Sequence, residues 1–318
     1  MLLSIWRYAK FQRSRRYAEW GYAGAQYNLG VCYINGDGVE KDPREAVKWF
    51  SKAAAEGVPE AWAFLGVCYH NGEGVSPNDA TAVMCLRRAA EQGVAAAQCL
   101  LAECYCYGQG LEQNLTEAIK WYRKAAEQGL PEAQFKLYLC CSSTGDLGNV
   151  LEGLKWLEKA IKQGYVEALY SFGLTCNSRN VEDPDAVKYF RKAAKKGHAK
   201  AQYELATCYY NGSGARKNPK KAWMWYRKAA EQGLAEAQFK LGCCYYNGSG
   251  VKQNFAEAVT WYRKAAEQGI AEAQFDLGYC YDVGAGTEKD RGEAIKWYQK
   301  AAEQGFARSE MMLKRPIQ

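Results

Sequence analysis

The chain has 318 residues, 48% of them hydrophobic, and a formal net charge of +7. No apolar run is long enough to cross a bilayer, so no membrane span is expected. Lysine and glutamate share the same segments, so no basic stripe forms and nucleic acid is not expected as a partner.

The first segment, residues 1–24, is basic: Arg7, Lys10, Arg13, Arg15 and Arg16 fall within 18 residues that hold no acid. Two readings stand. One is an N-terminal cap helix, because Arg16-Tyr17-Ala18-Glu19-Trp20-Gly21 lies one period ahead of Lys52-Ala53-Ala54-Ala55-Glu56-Gly57, and helical arrays carry atypical end units. The other is an Arg-rich, acid-poor organellar presequence, which makes the protein an organelle-imported scaffold. The register favours the cap. Met1 to Trp6 is too short for the apolar region of a secretory signal.

From Ala25 one pattern recurs eight times with a period of 36 residues, starting at Ala25, Ala61, Ala97, Ala133, Ala168, Ala201, Ala237 and Ala273 and running to residue 306. Residues 307–318 read as a partial C-terminal cap. The unit at Ala237 shows the plan. Ala237, Leu241 and Cys244-Tyr245 recur at helical spacing, and Asn247-Gly248-Ser249-Gly250 then ends the helix, since Asn-Gly supplies a positive φ. Asn254 is an N-cap candidate with Glu257 as its capping-box partner, and Asp42/Glu45, Asn114/Glu117 and Asp290/Glu293 repeat that pair. Pro43, Pro184 and Pro219 each follow an Asp or Asn, at the first helical position, where a missing N–H costs nothing. Every unit thus encodes helix A, a tight loop, helix B and a glycine stop. Gly30, Gly66, Gly242 and Gly278 let the helices approach, and Trp49, Trp121, Trp225, Trp261 and Trp297 are expected to fill the core between units.

Two central units depart from the plan. The Ala133 unit reads Cys140-Cys-Ser-Ser-Thr-Gly-Asp-Leu-Gly in place of its loop, and the Ala168 unit is shorter, with Cys176-Asn-Ser-Arg-Asn-Val-Glu-Asp-Pro. A local change of curvature is expected between about Cys140 and Pro184.

These residues resemble the Sel1-like repeat, a relative of the tetratricopeptide repeat, closely over Ala25–Gly129 and Ala201–Gly305 and loosely over the whole chain from Ala25. The resemblance implies an all-α fold, a right-handed α-solenoid of about eight helix-turn-helix units with terminal caps. It also implies an adaptor or scaffold for protein or peptide partners rather than an enzyme, with no cofactor. A cysteine-rich secreted branch of the family, linked to penicillin binding and β-lactam hydrolysis, supplies the enzymatic alternative.

The cysteines argue against that branch. There are thirteen, an odd number, and Cys32, Cys68, Cys104, Cys140, Cys208, Cys244 and Cys280 all stand seven residues after a unit start. Equivalent helices in a stack lie about 10 Å apart, beyond the roughly 7 Å Cα limit of a disulfide. The ladder therefore reads as small buried hydrophobes in a reducing compartment, which places the protein inside the cell, in the cytoplasm unless imported. Cys99, Cys104 and Cys106 with His70 could ligate zinc, but there are only two histidines and no doubled C-x-x-C, so no metal is expected. Ser249-Gly-Val-Lys252 matches the S-x-x-K nucleophile motif, yet its sister loop reads Ser213-Gly-Ala-Arg216, and turn chemistry explains both.

Function is expected where the units differ. The third and sixth positions after each start vary most and share a face of helix A. By analogy with other helical repeats that face lines the concave side. It is apolar in the first half (Phe64, Val67, Leu100, Leu139, Leu174) and charged toward the second (Lys136, Glu204, Lys240, Asp276). An amphipathic or extended segment would dock there. The alternative is that Phe64 and Leu100 simply pack between helices.

Overall fold

The computed structural model describes residues 2–179 and 183–314. Asn180, Val181 and Glu182, part of the shortened loop of the fifth unit, lie outside the described residues. Among the described residues there are eighteen α-helices and no strand, divided into two compact units. The first unit, Met1–Tyr165, holds α1 (Leu2–Glu19) and four helix pairs: α2 (Ala23–Asn35) with α3 (Pro43–Ala55), α4 (Pro59–Asn71) with α5 (Asp79–Glu91), α6 (Ala95–Tyr107) with α7 (Leu115–Glu127), and α8 (Pro131–Ser143) with α9 (Leu147–Lys162). The second, Val166–Gln318, holds α10 (Val166–Arg179) with α11 (Pro184–Lys195), α12 (Ala199–Asn211) with α13 (Pro219–Glu231), α14 (Ala235–Asn247) with α15 (Phe255–Glu267), α16 (Ala271–Val283) with α17 (Arg291–Glu303), and the short α18 (Ala307–Leu313). Repeated helix pairs of this kind are the expected α-solenoid architecture.

The loop chemistry explains the pairs. Gly248 ends α14 in the left-handed region (φ 67°), with its N–H bonded to the Cys244 carbonyl. The Oδ1 of Asn254 accepts from the Glu257 N–H at 3.2 Å and opens α15. Asp42, Asn114 and Asp290 cap their helices in the same way. The reciprocal half of the expected capping box does not form. The N–H of each cap is already bonded to a tyrosine carbonyl of helix A (Tyr33, Tyr105, Tyr245, Tyr281), and this ties the loop back to the first helix. Glu45, Glu117 and Glu293 instead pair with the lysine three residues on.

The second loop glycine does more than shorten the loop. Gly250 has φ +78°, and a Cβ there would fall on the Pro219 carbonyl, at the start of the preceding helix B. Gly38, Gly74, Gly110, Gly214 and Gly286 make the same close approach to the preceding element. For Gly38 that element is α1 at Arg7, so α1 stands where a preceding helix B would.

The core repeats too. Leu29, Leu101, Leu137, Leu205, Leu241 and Leu277 of the A helices are fully buried. So are Ala53, Ala89, Ala125, Ala193, Ala229 and Ala265 of the B helices and, in six of the eight pairs, one aromatic: Phe50, Tyr122, Phe190, Tyr226, Tyr262 and Tyr298; the second and fourth pairs bury Leu86 and Leu157 there. Burying each ring is worth about 1.5–3 kcal/mol. The expectation for tryptophan holds for Trp297, which is buried, and is corrected for Trp49, Trp121, Trp225 and Trp261, which are half-buried at the edge of the core while the next residue supplies the fully buried ring. Their faces are covered by the lysine three residues on, at 4.2 Å for Lys52, 4.1 Å for Lys124, 4.5 Å for Lys228 and 4.2 Å for Lys264. The buried rings also explain the helix-A glycines, since a Cβ on Gly242 would lie 2.6 Å from the Tyr262 ring. In the irregular fourth pair, Tyr138 takes the small-residue position, and Gly153 of α9 makes room opposite it.

A ladder of glutamines joins successive pairs. Buried Gln98 donates from Nε2 to the Ala90 carbonyl (3.0 Å) at the end of α5, and its Oε1 accepts from Gln128 Nε2 (2.8 Å) at the end of α7. Gln134, Gln202, Gln238 and Gln274 donate to Ala126, Ala194, Ala230 and Ala266 and accept from Gln163, Gln232, Gln268 and Gln304. Each of these five buried amides therefore has both of its ends paired.

Candidate functional site

Successive A helices leave clefts of one plan. In the first unit a cavity of about 160 Å³ lies between α4 and α6, with Val67, His70, Leu100 and Glu103 in its walls. A second, of about 200 Å³, lies between α6 and α8 and is lined by Cys106, Tyr122, Lys136, Leu139 and Cys140. In the second unit a cavity of about 370 Å³ lies between α14 and α16, walled by Cys243, Tyr246, Tyr262, Phe275, Asp276 and Tyr279. The third and sixth positions of helix A therefore border real recesses, with the buried aromatic of helix B lining two of them.

The predicted residues divide into groups. Val67, Leu100, Lys136, Leu139 and Asp276 line these cavities. Phe64 does not: it stacks on Phe50 with ring centroids 5.0 Å apart and meets Tyr27 edge-on at 5.8 Å, which makes it part of the packing. Leu139 is 47% exposed and Leu174 38% exposed, so the apolar surface open to a partner lies there. Glu204 is half-buried, and burial raises its carboxyl above the ordinary range. Lys240 is exposed, its ammonium 5.2 Å above the Phe239 ring.

Charge is unevenly committed. Burial opposes the charge on Lys136, but hydrogen bonds to Glu103 and Glu132 outweigh it and hold the ammonium pKa above its ordinary value. Lys136 pairs with both carboxylates, with Glu132 at 2.7 Å. Cys99, Glu103 and Glu132 lie close enough together to share a cation, and the Lys136 ammonium already pairs with both acids. His70 shares the wall of the α4/α6 cavity with Cys104, but its Nδ1 is engaged 2.8 Å from the Asp79 carboxylate. In the α14/α16 cavity, burial pushes the Asp276 carboxyl up to about 6, against the pull of Arg308 and Lys240. Such a group is primed to accept a hydrogen bond or a cation.

Ser249 sits in the loop after α14, its N–H bonded to the Cys244 carbonyl (2.9 Å), and Lys252 of the S-x-x-K match is exposed. A feature not anticipated is a basic recess of about 940 Å³ on the loop side, lined by Arg191, Arg216, Lys217, Lys220 and Lys221. Its signal, Arg-Lys-Asn-Pro-Lys-Lys in one loop where sister loops carry acids, was present in the sequence.

Comparison with known proteins follows the same boundaries. The Sel1 repeat model matches residues 23–58, 59–94, 95–130, 131–165, 169–198, 199–234, 235–270 and 271–306. The chain is similar to c5321, a protective antigen of uropathogenic Escherichia coli strains that displays an SLR fold, with 35% identity and a TM-score of 0.80. That match covers 95% of this chain and 66% of the other, so the chain spans just under two thirds of the antigen's length. A Sel1 repeat protein from Oxalobacter formigenes is 30% identical, with a TM-score of 0.66, over 95% of this chain and 89% of that one. Yeast Tom70, at 13% identity and a TM-score of 0.51 over 95% of this chain and 61% of that one, shares the fold alone. No curated protein matches the chain. Among the described residues no helix is long and apolar enough to cross a membrane.

Proposed function

The chain belongs to the Sel1-repeat family, and we propose that it is a non-enzymatic adaptor that grips a peptide or protein segment in the clefts between successive A helices. Sel1 and tetratricopeptide-like repeat proteins are generally protein-interaction scaffolds. The observation that carries the finer reading is the α14/α16 cavity. Its walls are tyrosine and phenylalanine, and its one carboxylate, Asp276, is held in a low-dielectric setting. That combination suits an apolar side chain next to a donor or cation, as on an amphipathic segment carrying Lys or Arg. Leu139, open at the α6/α8 cleft, offers a second apolar foothold.

The test is selection of a random peptide library on the immobilised full chain, repeated with Leu139→Glu and Tyr279→Glu. Both side chains are exposed, so neither variant should disturb folding. Enriched peptides that lose binding to one of the variants at unchanged melting temperature support the proposal. Peptides that bind both variants as well as the parent, or no enrichment at all, contradict it.

A further inference from the structure

Burial pushes the thiols of Cys68 to about 11 and of Cys244 and Cys280 to about 12, which makes these three ladder cysteines inert at neutral pH. Cys106 is different. It stands nine residues after its unit start, a position where no other unit has cysteine. It is half-buried on the wall of the α6/α8 cavity, and its sulfur lies 3.6 Å from that of Cys140. The ladder spacing that forbids bridges between equivalent cysteines does not apply to this pair. One member is displaced by two positions along the helix, and α6 touches α8 directly.

The surroundings favour a thiolate at Cys106. The Cys140 thiol and the Tyr122 hydroxyl both hydrogen-bond its sulfur, and these bonds outweigh burial, which opposes the charge; Glu103 opposes it too, and its ion-pair partner Lys136 favours it. Together these hold the Cys106 thiol below the ordinary range, while the same contact and burial raise Cys140. Of the two, Cys106 is the more open to solvent.

We propose that Cys106 and Cys140 form a redox-active thiol pair whose substrate is a hydroperoxide. The Cys106 thiolate attacks the peroxide oxygen, the O–O bond breaks, and the departing alkoxide or hydroxide takes up a proton and leaves as alcohol or water. Cys106 is then a sulfenic acid. The Cys140 sulfur attacks it, the S–O bond breaks, and the hydroxyl leaves as water with the Cys140 proton. Two thiols have lost two electrons and two protons to the peroxide, and one disulfide has formed. The sulfurs must approach by about 1.5 Å to reach bonding distance, within the reach of side-chain rotation. A small dithiol restores the pair by exchange. The pair does not depend on peptide binding, so it stands even if the adaptor reading fails.

The experiment uses the full chain with hydrogen peroxide. Non-reduced peptide mapping is expected to show a Cys106–Cys140 bridge, with loss of two of the thirteen titratable thiols. In Cys140→Ala the oxidation should stop at a sulfenic acid on Cys106 that dimedone traps, and in Cys106→Ser no bridge to Cys140 should form. At pH 7 iodoacetamide should label Cys106 about tenfold faster than any ladder cysteine. A folded protein in which Cys106 is labelled no faster than the ladder thiols, or in which peroxide leaves Cys106 and Cys140 unbridged, overturns the proposal.

Discussion

The first helix pair breaks the glutamine ladder, and one substitution should mend it. Gln26 is 7% exposed, and its Oε1 is buried without a hydrogen-bond partner. In the third unit the corresponding Oε1, on Gln98, accepts from Gln128 at the end of the unit's own helix B. Glu56 stands at that place in the first unit, and a carboxylate can accept but not donate. Glu56→Gln supplies the missing donor. A net hydrogen bond is worth about 0.5–1.5 kcal/mol, and relief of an orphaned buried acceptor adds to it, so a gain of about 1–2 kcal/mol is expected. Repeat arrays need not unfold in one step, so native-state hydrogen exchange in α2 and α3 is the suitable readout. The gain corresponds to roughly five- to thirtyfold slower exchange of the amides that open with this pair. Glu56→Ala removes the charge without adding a donor and should give no gain. Gln128→Glu should orphan Gln98 and cost about 1–3 kcal/mol. If Glu56→Gln is no better than Glu56→Ala, or Gln128→Glu is neutral, the ladder does not bind the units as argued.

Four further outcomes follow from particular contacts. Gly250→Ala, at φ +78° and pressed against the Pro219 carbonyl, should cost at least about 1–3 kcal/mol in urea denaturation, because both backbone strain and a clash oppose it. Phe64→Ser should lower stability by about 2–4 kcal/mol through loss of its stack on Phe50, whereas Leu139→Ser should stay within about 0.5 kcal/mol of the parent. For Asp276, the folded pKa of about 6 lies above the unfolded value, so the native state binds the proton more tightly. Its contribution is full below about pH 4 and is lost as pH rises through 6, and Asp276→Asn should flatten that slope and stabilise the protein at pH 7 by roughly 1–3 kcal/mol. Nitrocefin turnover should be absent, because Ser249 is a turn residue and Lys252 points to solvent rather than into a site.

Local chemistry was the legible part of this chain. Asn247-Gly248 and the Asp or Asn caps act within a few residues, so the helix pairs and their loops follow from the text of the repeat. The bond that each cap side chain accepts from the N–H three residues on followed as well, but the return bond did not, because the cap N–H is spent on a helix-A tyrosine carbonyl. The glutamine ladder was spelled as Ala-Gln at unit starts and Glu-Gln-Gly at unit ends. Its role emerges only once the end of helix B is seen to lie beside the start of its own helix A. The variable face shows the limit most clearly. Phe64 and Leu139 look alike in sequence, as apolar residues at varying positions, yet Phe64 stacks on the neighbouring Phe50 ring while Leu139 lines an open cleft and stays exposed. Cys106 escaped the ladder argument for a similar reason. Periodicity compares equivalent positions, and its partner Cys140 is two positions out of register.

The most direct test of the adaptor account is a crystal structure of the full chain with a peptide selected on it. The account predicts a peptide side chain in a cleft between A helices, either against Tyr279 with a donor or cation on the Asp276 carboxylate, or against Leu139. A peptide seated on the B helices, or on the basic loop recess around Arg216 and Lys220, with both clefts open, would contradict it.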